Sequence, residues 1–460
     1  MLLGTQRVNS YGHLEIGGCD TTWLADEFGT PLYVLDEAAI RANCRSYRTA
    51  FESCYPQNRI CYAGKALLTR AICKIVQEEG FNLDVAALGE LYTALSAGFP
   101  ARSINLHGNN KSSEELELAV SKRVGHIVLD NFLEIEMLRS IARKGYRRVN
   151  VLVRVTPGID PHTHKLIRTG QADTKFGFNI RDGAALTAVR QVIAAPELHF
   201  KGIHCHVGSQ LLETDAQVQA VHIMVKFMHT IRQHTGVTAG ELNIGGGLGV
   251  RYIESHRPPS FQEYAEAITG ELISALNRYK LPYPILVQEP GRSIIGETGT
   301  TLYTIGAIKT VPIKSKPGHR TYVAVDGGMS DNPRPQLYDA VYQAILADYA
   351  DRPAERIVTI AGKHCETDIL IWDTLIAEPH TGDILAVQTT GAYNFSMASN
   401  YNKFQRPAVV LVNEGQADLI VARESLRDLI RNDRIPDRLK ATRRTPAISA
   451  RYSQPEPIRS

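Results

Sequence analysis

The amino-acid sequence predicts an α/β protein in which a (β/α)8 barrel (a TIM barrel) is joined to a second, antiparallel β domain. From about residue 58 to residue 295, eight short apolar runs alternate with amphipathic helical stretches. Eight such units in roughly 240 residues match the count and size of this barrel. After residue 295 the apolar pattern changes to a period of two residues, which is typical of antiparallel strands. An open, doubly wound sheet is the alternative for the first part, although it more often carries a glycine-rich phosphate loop after its first strand.

The barrel strands are predicted in chain order at residues 59–63, 81–86, 103–107, 126–130, 150–155, 200–206, 241–244 and 284–289. Several of the intervening helices open on Ser, Thr or Asn, residues that cap helix N-termini. The first strand is followed by Lys65, and the next helix is predicted between Thr69 as its N-cap and Gly80 at its end. A lysine in such a turn is usually a solvated loop residue, so its role depends on the rest of the chain.

Four segments are expected along the chain. Residues 1–34 join the β domain, residues 35–295 form the barrel, residues 296–424 form the C-terminal β domain, and residues 425–460 form a helix and a mobile tail. One further helix is predicted at residues 336–350, within the β domain.

Composition favours small-molecule chemistry over nucleic-acid binding. The chain has 460 residues, of which 43% are hydrophobic and 22% are charged, as in an ordinary globular protein. Its 51 basic and 48 acidic residues give a net charge of +3, which indicates no general basic surface for nucleic acid.

The cysteines and the N-terminal segment predict a cytoplasmic protein without a membrane partner. No two of the seven cysteines have a CxxC spacing, which favours free thiols over disulfides or a zinc site, and no metal site is predicted. The apolar run in the first ten residues is only three residues long, too short for a signal peptide, and no apolar stretch is long enough to span a membrane.

Polar residues and glycines follow the predicted barrel strands, and in this fold the C-terminal ends of the strands carry the chemistry. Glycines 245–247 allow backbone amides to approach an anion, and Arg292 adds a cation, so strands seven and eight predict a phosphate site. Across the barrel mouth, Lys65 is placed to form an imine with a carbonyl compound.

A phosphate site opposite an imine-forming lysine suggests pyridoxal 5'-phosphate as the cofactor. Glu289 is placed to pair with the pyridine nitrogen and keep it protonated, which makes the ring an electron sink. His206 is expected to stack on the face of the ring, with Ser209 near the phosphate.

Seven motifs carry a resemblance to a known family. In chain order they are YAGKA, HCHVGSQ, NIGGGLG, EPGRSI, DGGMSDNPRPQLYDA, GKHCETDIL and GAYNFSMASNYNKFQRP, and together they cover the chain from about Thr30 to Arg423. This set resembles the diaminopimelate decarboxylases, which belong to the alanine racemase-like, fold type III class of pyridoxal phosphate enzymes. The fold of that family, a barrel plus a C-terminal β domain, agrees with the pattern described above.

The resemblance implies a role for each matching residue. Lys65 is the lysine that forms the imine, and cofactor binding is implied for Gly246, Gly247, Glu289, Pro290, Gly291 and Arg292. Substrate carboxylates are implied to bind Arg292, Arg334 and Tyr338, and the distal amino group to bind Glu366, while Tyr393 serves both phosphate and substrate. Cys365 is implied to be the acid that protonates the carbanion after carbon dioxide leaves, and the partner subunit of a homodimer supplies it.

The implied reaction is the decarboxylation of meso-2,6-diaminopimelate to L-lysine, the last step of lysine biosynthesis. Arg334, Tyr338 and Glu366 together suit a distal centre that carries both a carboxylate and an amine, whereas an ornithine-type substrate needs mainly acidic groups there.

Two alternatives stay open at this point. One is the decarboxylation of a related amino acid, such as carboxynorspermidine, an ornithine-like compound or a carrier-bound glutamate. The other is a non-catalytic regulatory homologue, against which the presence of both Lys65 and Cys365 argues. Racemisation is less favoured because the motifs around the catalytic tyrosine of alanine racemase are not apparent.

Overall fold

A computed structural model describes residues 2–145, 148–159, 173–314 and 317–440. The first segment forms a small sheet and one strand of a larger sheet. The small sheet has three antiparallel strands, which are β1 (Arg7–Val8), β2 (Leu14–Ile16) and β3 (Cys19–Asp20). Helix α1 (Thr21–Phe28) follows, capped by the side chain of Asp20, and then β4 (Leu32–Asp36).

The predicted barrel is present and closed. All of its pairings are parallel, and β8 pairs with β9 to complete the ring. The eight strands are β5 (Asn58–Ala63), β6 (Asn82–Val85), β7 (Ile104–Leu106), β8 (His126–Leu129), β9 (Val149–Thr156), β11 (Leu198–His204), β12 (Glu241–Asn243) and β13 (Ile285–Gln288), with a short β10 (Phe178–Asn179) added beside β9. Each strand overlaps one of the eight predicted runs.

Helices connect the barrel strands and pack on the outside of the ring. They are α2 (Glu37–Cys54), α3 (Arg70–Glu78), α4 (Leu88–Ser96), α5 (Ser113–Lys122), α6 (Phe132–Lys144), α7 (Ala184–Ala194), α8 (Asp215–Thr235) and α9 (Phe261–Tyr279). Helix α2 precedes the first barrel strand and packs against α9, where the ring of Tyr47 stands edge-on to that of Phe261 at 5.3 Å. It therefore closes the outer layer between the two ends of the barrel sequence.

The second domain is mostly antiparallel, as predicted. It consists of α10 (Arg292–Ile295), β14 (Gly299–Pro312), β15 (His319–Val325), α11 (Arg334–Tyr338), β16 (Ala344–Leu346), β17 (Arg356–Ala361), β18 (Ile369–Ile376), β19 (Ile384–Gln388), β20 (Ala408–Asn413) and β21 (Gln416–Val421). Its main path runs β18-β17-β15-β14-β4-β20-β21. Two pairings in it are parallel, β15 with β17 and β4 with β20.

The predicted contribution of the first residues to this domain holds for PLYVLD, which forms β4, but YGHLEI contributes β2 to the separate small sheet. That sheet still packs on the domain, because Leu14 and Ile16 share an apolar cluster with Leu302 and Val410. The division of the chain at residues 34, 295 and 424 stays a prediction.

The helix predicted at residues 336–350 is wrong over most of its length. Helix α11 ends at Tyr338, because Asp339 takes a left-handed conformation with φ of 51°. The apolar residues that follow then form β16, which pairs antiparallel with β19 and buries Leu346. Pairing with β19 thus overrides the local helical pattern.

The C-terminal segment differs from the prediction as well. Residues 426–432 form turns, and a single 3-10 turn follows at Asp437–Leu439, so the described part of this segment has no α-helix. Its large apolar side chains, such as Leu426 and Ile430, are exposed and give a helix no core to pack against. The predicted mobile tail from residue 441 onward lies outside the described residues. Among the described helices, none combines the length and apolar composition that crossing a membrane requires.

Candidate active site

A cavity of about 460 Å³ lies at the C-terminal ends of the barrel strands, where the β domain covers them. It is lined by residues of the barrel loops together with residues of α10, α11 and the segment after β19. Eight of the predicted site residues meet there, namely Lys65, His206, Ser209, Glu289, Arg292, Arg334, Tyr338 and Tyr393. The predicted convergence on one rim is thus seen for the five residues that follow barrel strands, while Arg334, Tyr338 and Tyr393 reach the cavity from the β domain. The roles of all eight stay predictions.

Lys65 lies in a single 3-10 turn, Gly64–Ala66, between β5 and α3. The turn is short because Thr69 starts the next helix at once, its side chain accepting a hydrogen bond from the amide of Ile72 at 3.2 Å. Leu67 and Ala66 are buried, while Lys65 projects into the cavity. Lys65 is thus the exposed residue of a turn whose neighbours on both sides, Gly64 and Ala66, are buried.

The glycine run after β12 forms a bare backbone loop beside the cavity. A Cβ atom on Gly245 or Gly247 would lie 2.7 Å from a backbone carbonyl oxygen, and both glycines have positive φ. On Gly246 it would collide with the carbonyl of Glu289. Only glycine fits these positions. The Arg292 guanidinium donates to Ser209 Oγ at 3.0 and 3.2 Å, and the neighbouring Gly208 presents its carbonyl oxygen to Gly247.

Pro290 and Gly291 do not line the cavity, but they join the last barrel strand to the first. The amide of Ala63 donates to the carbonyl of Pro290 at 2.9 Å, and a Cβ atom on Gly291 would lie 3.0 Å from Ala63 Cβ. These two residues thus bring Glu289 and Arg292 close to the Lys65 turn.

Glu289 is held by three side chains. Asn243 Nδ2 donates to it at 2.6 Å, and the Nε2 atoms of His107 and His204 lie 3.2 and 3.3 Å from its oxygens. Burial by itself raises the pKa of Glu289, but the charge of His107 and the hydrogen bond with His204 outweigh it, so this pKa lies well below its usual range. Glu289 is therefore an ionised carboxylate in the cavity.

Two histidines near this carboxylate differ in charge. Burial lowers the pKa of His107, but the charge of Glu289 and the hydrogen bond of Asp84 outweigh it and raise that pKa above its ordinary value. Burial, followed by the positive charges of Lys65 and Arg154, lowers the pKa of His206 well below its ordinary value. At neutral pH His107 is thus a cation, and His206 is a neutral ring on the cavity wall.

Arg334 brings a further guanidinium to the cavity, beside those of Arg154 and Arg292. It lies on α11, is 4% exposed, and contacts the faces of Tyr338 and Tyr393 with its Cζ atom 5.2 and 5.7 Å from the ring centres. Its Nε atom is buried without a hydrogen-bond partner among the described residues. A buried guanidinium with an unused donor suits a bound carboxylate.

Cys365 and Glu366 do not join the others. Both are exposed on the β domain, and neither lines the cavity of its own chain. Cys365 donates its amide to Asn402 Oδ1 at 3.1 Å, and Glu366 accepts a hydrogen bond from the hydroxyl of Tyr401. The predicted site is therefore split between the cavity and an outward-facing turn.

Known proteins are similar to this chain over most of its length. Residues 37–296 match the family described as pyridoxal-dependent decarboxylase, pyridoxal binding domain. The diaminopimelate decarboxylase of Bacillus subtilis (strain 168) is 46% identical over 94% of this chain and 98% of that protein. The diaminopimelate decarboxylase of Synechocystis is 45% identical over 95% of this chain and 93% of that protein.

This chain belongs to the diaminopimelate decarboxylase family. The family resemblance predicted from the seven motifs is thereby confirmed, as is the fold. A crystal structure of the diaminopimelate decarboxylase from M. jannaschii, in co-complex with L-lysine, has a TM-score of 0.88 to this structure at 32% identity. It covers 95% of this chain, and all of that chain is matched.

The residues of this diaminopimelate decarboxylase family member fit pyridoxal phosphate. The glycine loop, Ser209 and Arg292 provide amide, hydroxyl and guanidinium donors for a phosphate. Glu289 is an ionised carboxylate that can pair with a ring nitrogen, and Lys65 supplies a primary amine in the same cavity. A side chain on any of the three loop glycines would collide with neighbouring backbone, because Cβ atoms there approach the carbonyl oxygens of Cys205, Glu289 and Gly208.

Several residues of the site were not assigned a role from the sequence. Asn243 and His204 hold Glu289, Tyr252 accepts a hydrogen bond from Arg292 Nη1, and Phe176 lies beneath Arg154 at 4.2 Å from its Cζ atom. The strand-end positions of Asn243 and His204 were a usable signal, since polar side chains at those positions point to the barrel mouth. Tyr252 and Phe176 lie in loops whose path the sequence does not give.

Proposed function

We propose that this protein decarboxylates meso-2,6-diaminopimelate to L-lysine and carbon dioxide, the last step of lysine biosynthesis. The observation that carries the proposal is the presence of the Arg292 and Arg334 guanidinium groups in one cavity with Lys65, in addition to Arg154, whose Nη1 lies 3.6 Å from the carboxylate of Asp130. The Arg292 guanidinium donates to Ser209 beside the glycine loop, whereas Nε of Arg334 has no hydrogen-bond partner among the described residues. A substrate with a second carboxylate at its far end would bind that carboxylate to Arg334.

Pyridoxal phosphate held by these residues would supply an electron sink for the pair left on the α-carbon as carbon dioxide departs. Glu289 keeps a proton on the ring nitrogen, because it is ionised and fixed by three side chains. His206, a neutral group on the cavity wall, would lie against the ring without adding charge there. Gly246, Gly247 and Ser209 orient the phosphate, together with Arg292 and the hydroxyl of Tyr393.

The distal end of the substrate is bound by groups of both signs. Arg334 holds the distal carboxylate through its planar fork of donors, and Tyr338 donates to the same group. Glu366 of a neighbouring subunit binds the distal ammonium. This pairing of charges favours a substrate whose distal end carries both a carboxylate and an ammonium group over an ornithine-like substrate, whose distal end carries only an amine.

Cys365 returns a proton to the carbon that has lost carbon dioxide. Because it lies outside the cavity of its own chain, it acts in the cavity of a partner subunit, so the working unit is a homodimer with shared sites. Two copies related by a two-fold axis give two such sites. The seven cysteines are all free, and a reducing cytoplasm preserves an exposed thiol of this kind.

The reaction is tested by measuring carbon dioxide release from meso-diaminopimelate with and without added pyridoxal phosphate, beside L-ornithine and carboxynorspermidine as competing substrates. We expect the highest kcat/KM for diaminopimelate and a dependence on the cofactor. A higher kcat/KM for either competitor would overturn the substrate assignment. Pure protein that neither binds the cofactor nor releases carbon dioxide would instead support the regulatory homologue.

The shared site is tested by mixing chains. Lys65→Ala and Cys365→Ala chains are each expected to be inactive, but after dissociation and re-association each mixed dimer contains one intact site. Equal amounts give mixed dimers as about half of the total, so activity should return to roughly a quarter of the wild-type level. Mixed dimers seen by native mass spectrometry without recovered activity would show that the site is not shared.

A further inference from the structure

The turn that carries Cys365 and Glu366 is anchored by two buried residues. This turn, residues 362–368, is called the Cys365 turn here. Cys365 and Glu366 are exposed, whereas the side chains of His364 and Asp368 are 0% and 1% exposed. Polar side chains are seldom so deeply buried in an exposed turn, and the decarboxylation proposed above assigns them no role.

The carboxylate of Asp368 closes the turn from inside. Its Oδ2 accepts from His364 twice, from the backbone amide at 3.1 Å and from Nδ1 at 2.6 Å. Its Oδ1 accepts from the amide of Met329, in the loop after β15, at 2.8 Å. The residue itself has φ of 37°, a conformation that few side chains adopt without such contacts. One carboxylate therefore ties both ends of the turn to each other and to the body of the domain.

The backbone around this carboxylate leaves room for nothing larger than glycine. A Cβ atom on either Gly328 or Gly362 would collide with Asp368 Oδ2. Gly362 also donates its amide to the carbonyl of Asp368 at 2.7 Å. The two glycines in DGG and AGK thus permit the close approach that the anchor requires.

The imidazole of His364 connects the anchor to the exposed residues. Its ring stacks on Tyr401 at 5.9 Å with an interplanar angle of 9°, and meets the edge of Phe404 at 4.7 Å. The hydroxyl of Tyr401 then donates to Glu366, and Asn402 accepts from the amide of Cys365. The position of Glu366 is thereby set through the stacked pair of rings.

We propose that His364 and Asp368 are positioning residues, which fix the direction in which Cys365 and Glu366 leave the β domain to enter the neighbouring subunit's cavity. The inference rests on the shared site proposed above. Neither side chain is accessible, so neither takes part in binding or in proton transfer itself. Without the anchor, the turn would keep its two exposed residues but lose their fixed placement.

The first test separates placement from general stability. Asp368→Asn should lower kcat by about 10- to 100-fold, because a small misplacement of a reacting group has that effect. KM for diaminopimelate is expected to change less than kcat, and the visible absorbance of the bound cofactor to stay unchanged, because the cavity itself is intact. Asp383→Asn is the matched control, since Asp383 is also buried in the β domain and accepts from the amide of His380 at 2.7 Å, away from the turn. Equal loss of kcat in both variants would overturn the inference.

Two substitutions of His364 provide a second line. His364→Asn keeps a donor near the position of Nδ1, whereas His364→Leu removes it at similar volume. We expect the Asn variant to retain more kcat than the Leu variant at comparable thermal midpoints. If Asp368→Asn does not fold, His364→Leu takes its place in all the experiments. Equal kcat for the two His364 variants and the wild type would count against the role of the imidazole.

Mixed dimers give the sharpest outcome. Mixing Asp368→Asn with Lys65→Ala chains combines an intact Lys65 with an intact Cys365 turn in one site, so activity should return to roughly a quarter of the wild-type level. Mixing Asp368→Asn with Cys365→Ala should recover nothing, because no site has an intact turn. If the first mixture stays inactive while Lys65→Ala with Cys365→Ala recovers, Asp368 does not act through the turn. If the mixture of Lys65→Ala with Cys365→Ala chains also stays inactive, the site is not shared between subunits, and this inference is overturned with it.

Discussion

The backbone amide of Tyr393 donates a hydrogen bond to the carbonyl oxygen of Ala66 at 2.8 Å. Ala66 directly follows Lys65, and the same carbonyl accepts from Ser396 Oγ at 3.1 Å. These two hydrogen bonds attach the β domain to the turn that carries the lysine. Tyr393 lines the cavity and has a left-handed conformation with φ of 62°. The contact thus places the ring of Tyr393 beside the Lys65 turn, with its centre 4.7 Å from Cζ of Arg292.

Lys65→Ala should abolish turnover and remove the visible absorbance of bound cofactor, because the cavity then has no amine at the end of β5. Borohydride treatment should no longer fix the cofactor to the protein. Lys74→Ala, at an exposed position of α3, is the control and should leave both properties unchanged. Absorption spectra and mass spectrometry of reduced protein make the measurement, and a variant that still retains fixed cofactor would contradict the role of Lys65.

Arg334→Lys should weaken the substrate complex by roughly 1.5–3 kcal/mol, since an ammonium group cannot reproduce the two parallel bonds of a buried guanidinium. The cofactor spectrum should not change. Arg320→Lys is the matched control, because Arg320 lies on β15 over the ring of Trp372 and away from the cavity. Unchanged kcat/KM for diaminopimelate in the Arg334 variant would reduce Arg334 to a structural residue.

Tyr252→Phe should weaken cofactor binding about tenfold, because a hydrogen bond to a charged donor contributes about 1.5 kcal/mol or more. Tyr252 is buried and accepts from Arg292 Nη1, so its loss frees the guanidinium that stands beside the glycine loop. The affinity is measured by titrating the apoprotein with pyridoxal phosphate. Tyr283→Phe, at an exposed tyrosine, should leave this affinity unchanged.

Glu241 makes stability depend on pH. Burial raises its pKa, but His126 and then Arg59 outweigh this and lower that pKa from 4.5 to about 2. Because the pKa is lower in the folded state, the stabilisation is complete above about pH 4.5 and is lost as pH falls towards 2. Glu241→Gln should therefore cost roughly 3 kcal/mol at pH 7 and progressively less below pH 4.5. Thermal midpoints across this range test it, with Glu266→Gln as an exposed control, and a pH-independent difference would contradict the assignment.

The sequence predicted those parts of the fold that depend on local pattern. The eight barrel strands and the Lys65 turn follow from apolar runs, helix caps and glycines, which act over a few residues. The helix expected at residues 336–350 failed because β16 pairs with β19, a partner that the local pattern does not contain. The place of β4 between β14 and β20 depends on pairing over a long separation in the same way.

The site was predictable as a set of residues more than as a geometry. Strand-end positions placed Glu289 and His206 at the barrel mouth, but the contacts of Glu289 with His107 and His204 require a closed barrel, since β7, β11 and β13 are not consecutive along the chain. The anchor of the Cys365 turn was missed because His364 and Asp368 have the composition of a solvated loop. Their burial follows from the two glycines that let the backbone approach.

Strand β4 is translated early but belongs between two strands that are translated late. Its neighbours β14 and β20 lie on the far side of the whole barrel sequence, so a nascent chain holds LYVLD without a partner while the barrel is being made. Such an edge can pair with other chains, and closing so long a separation is slow. The sheet around β4 can therefore form only after β14 and β20 have been made, and a fragment that stops short of β14 leaves an apolar strand open to aggregation.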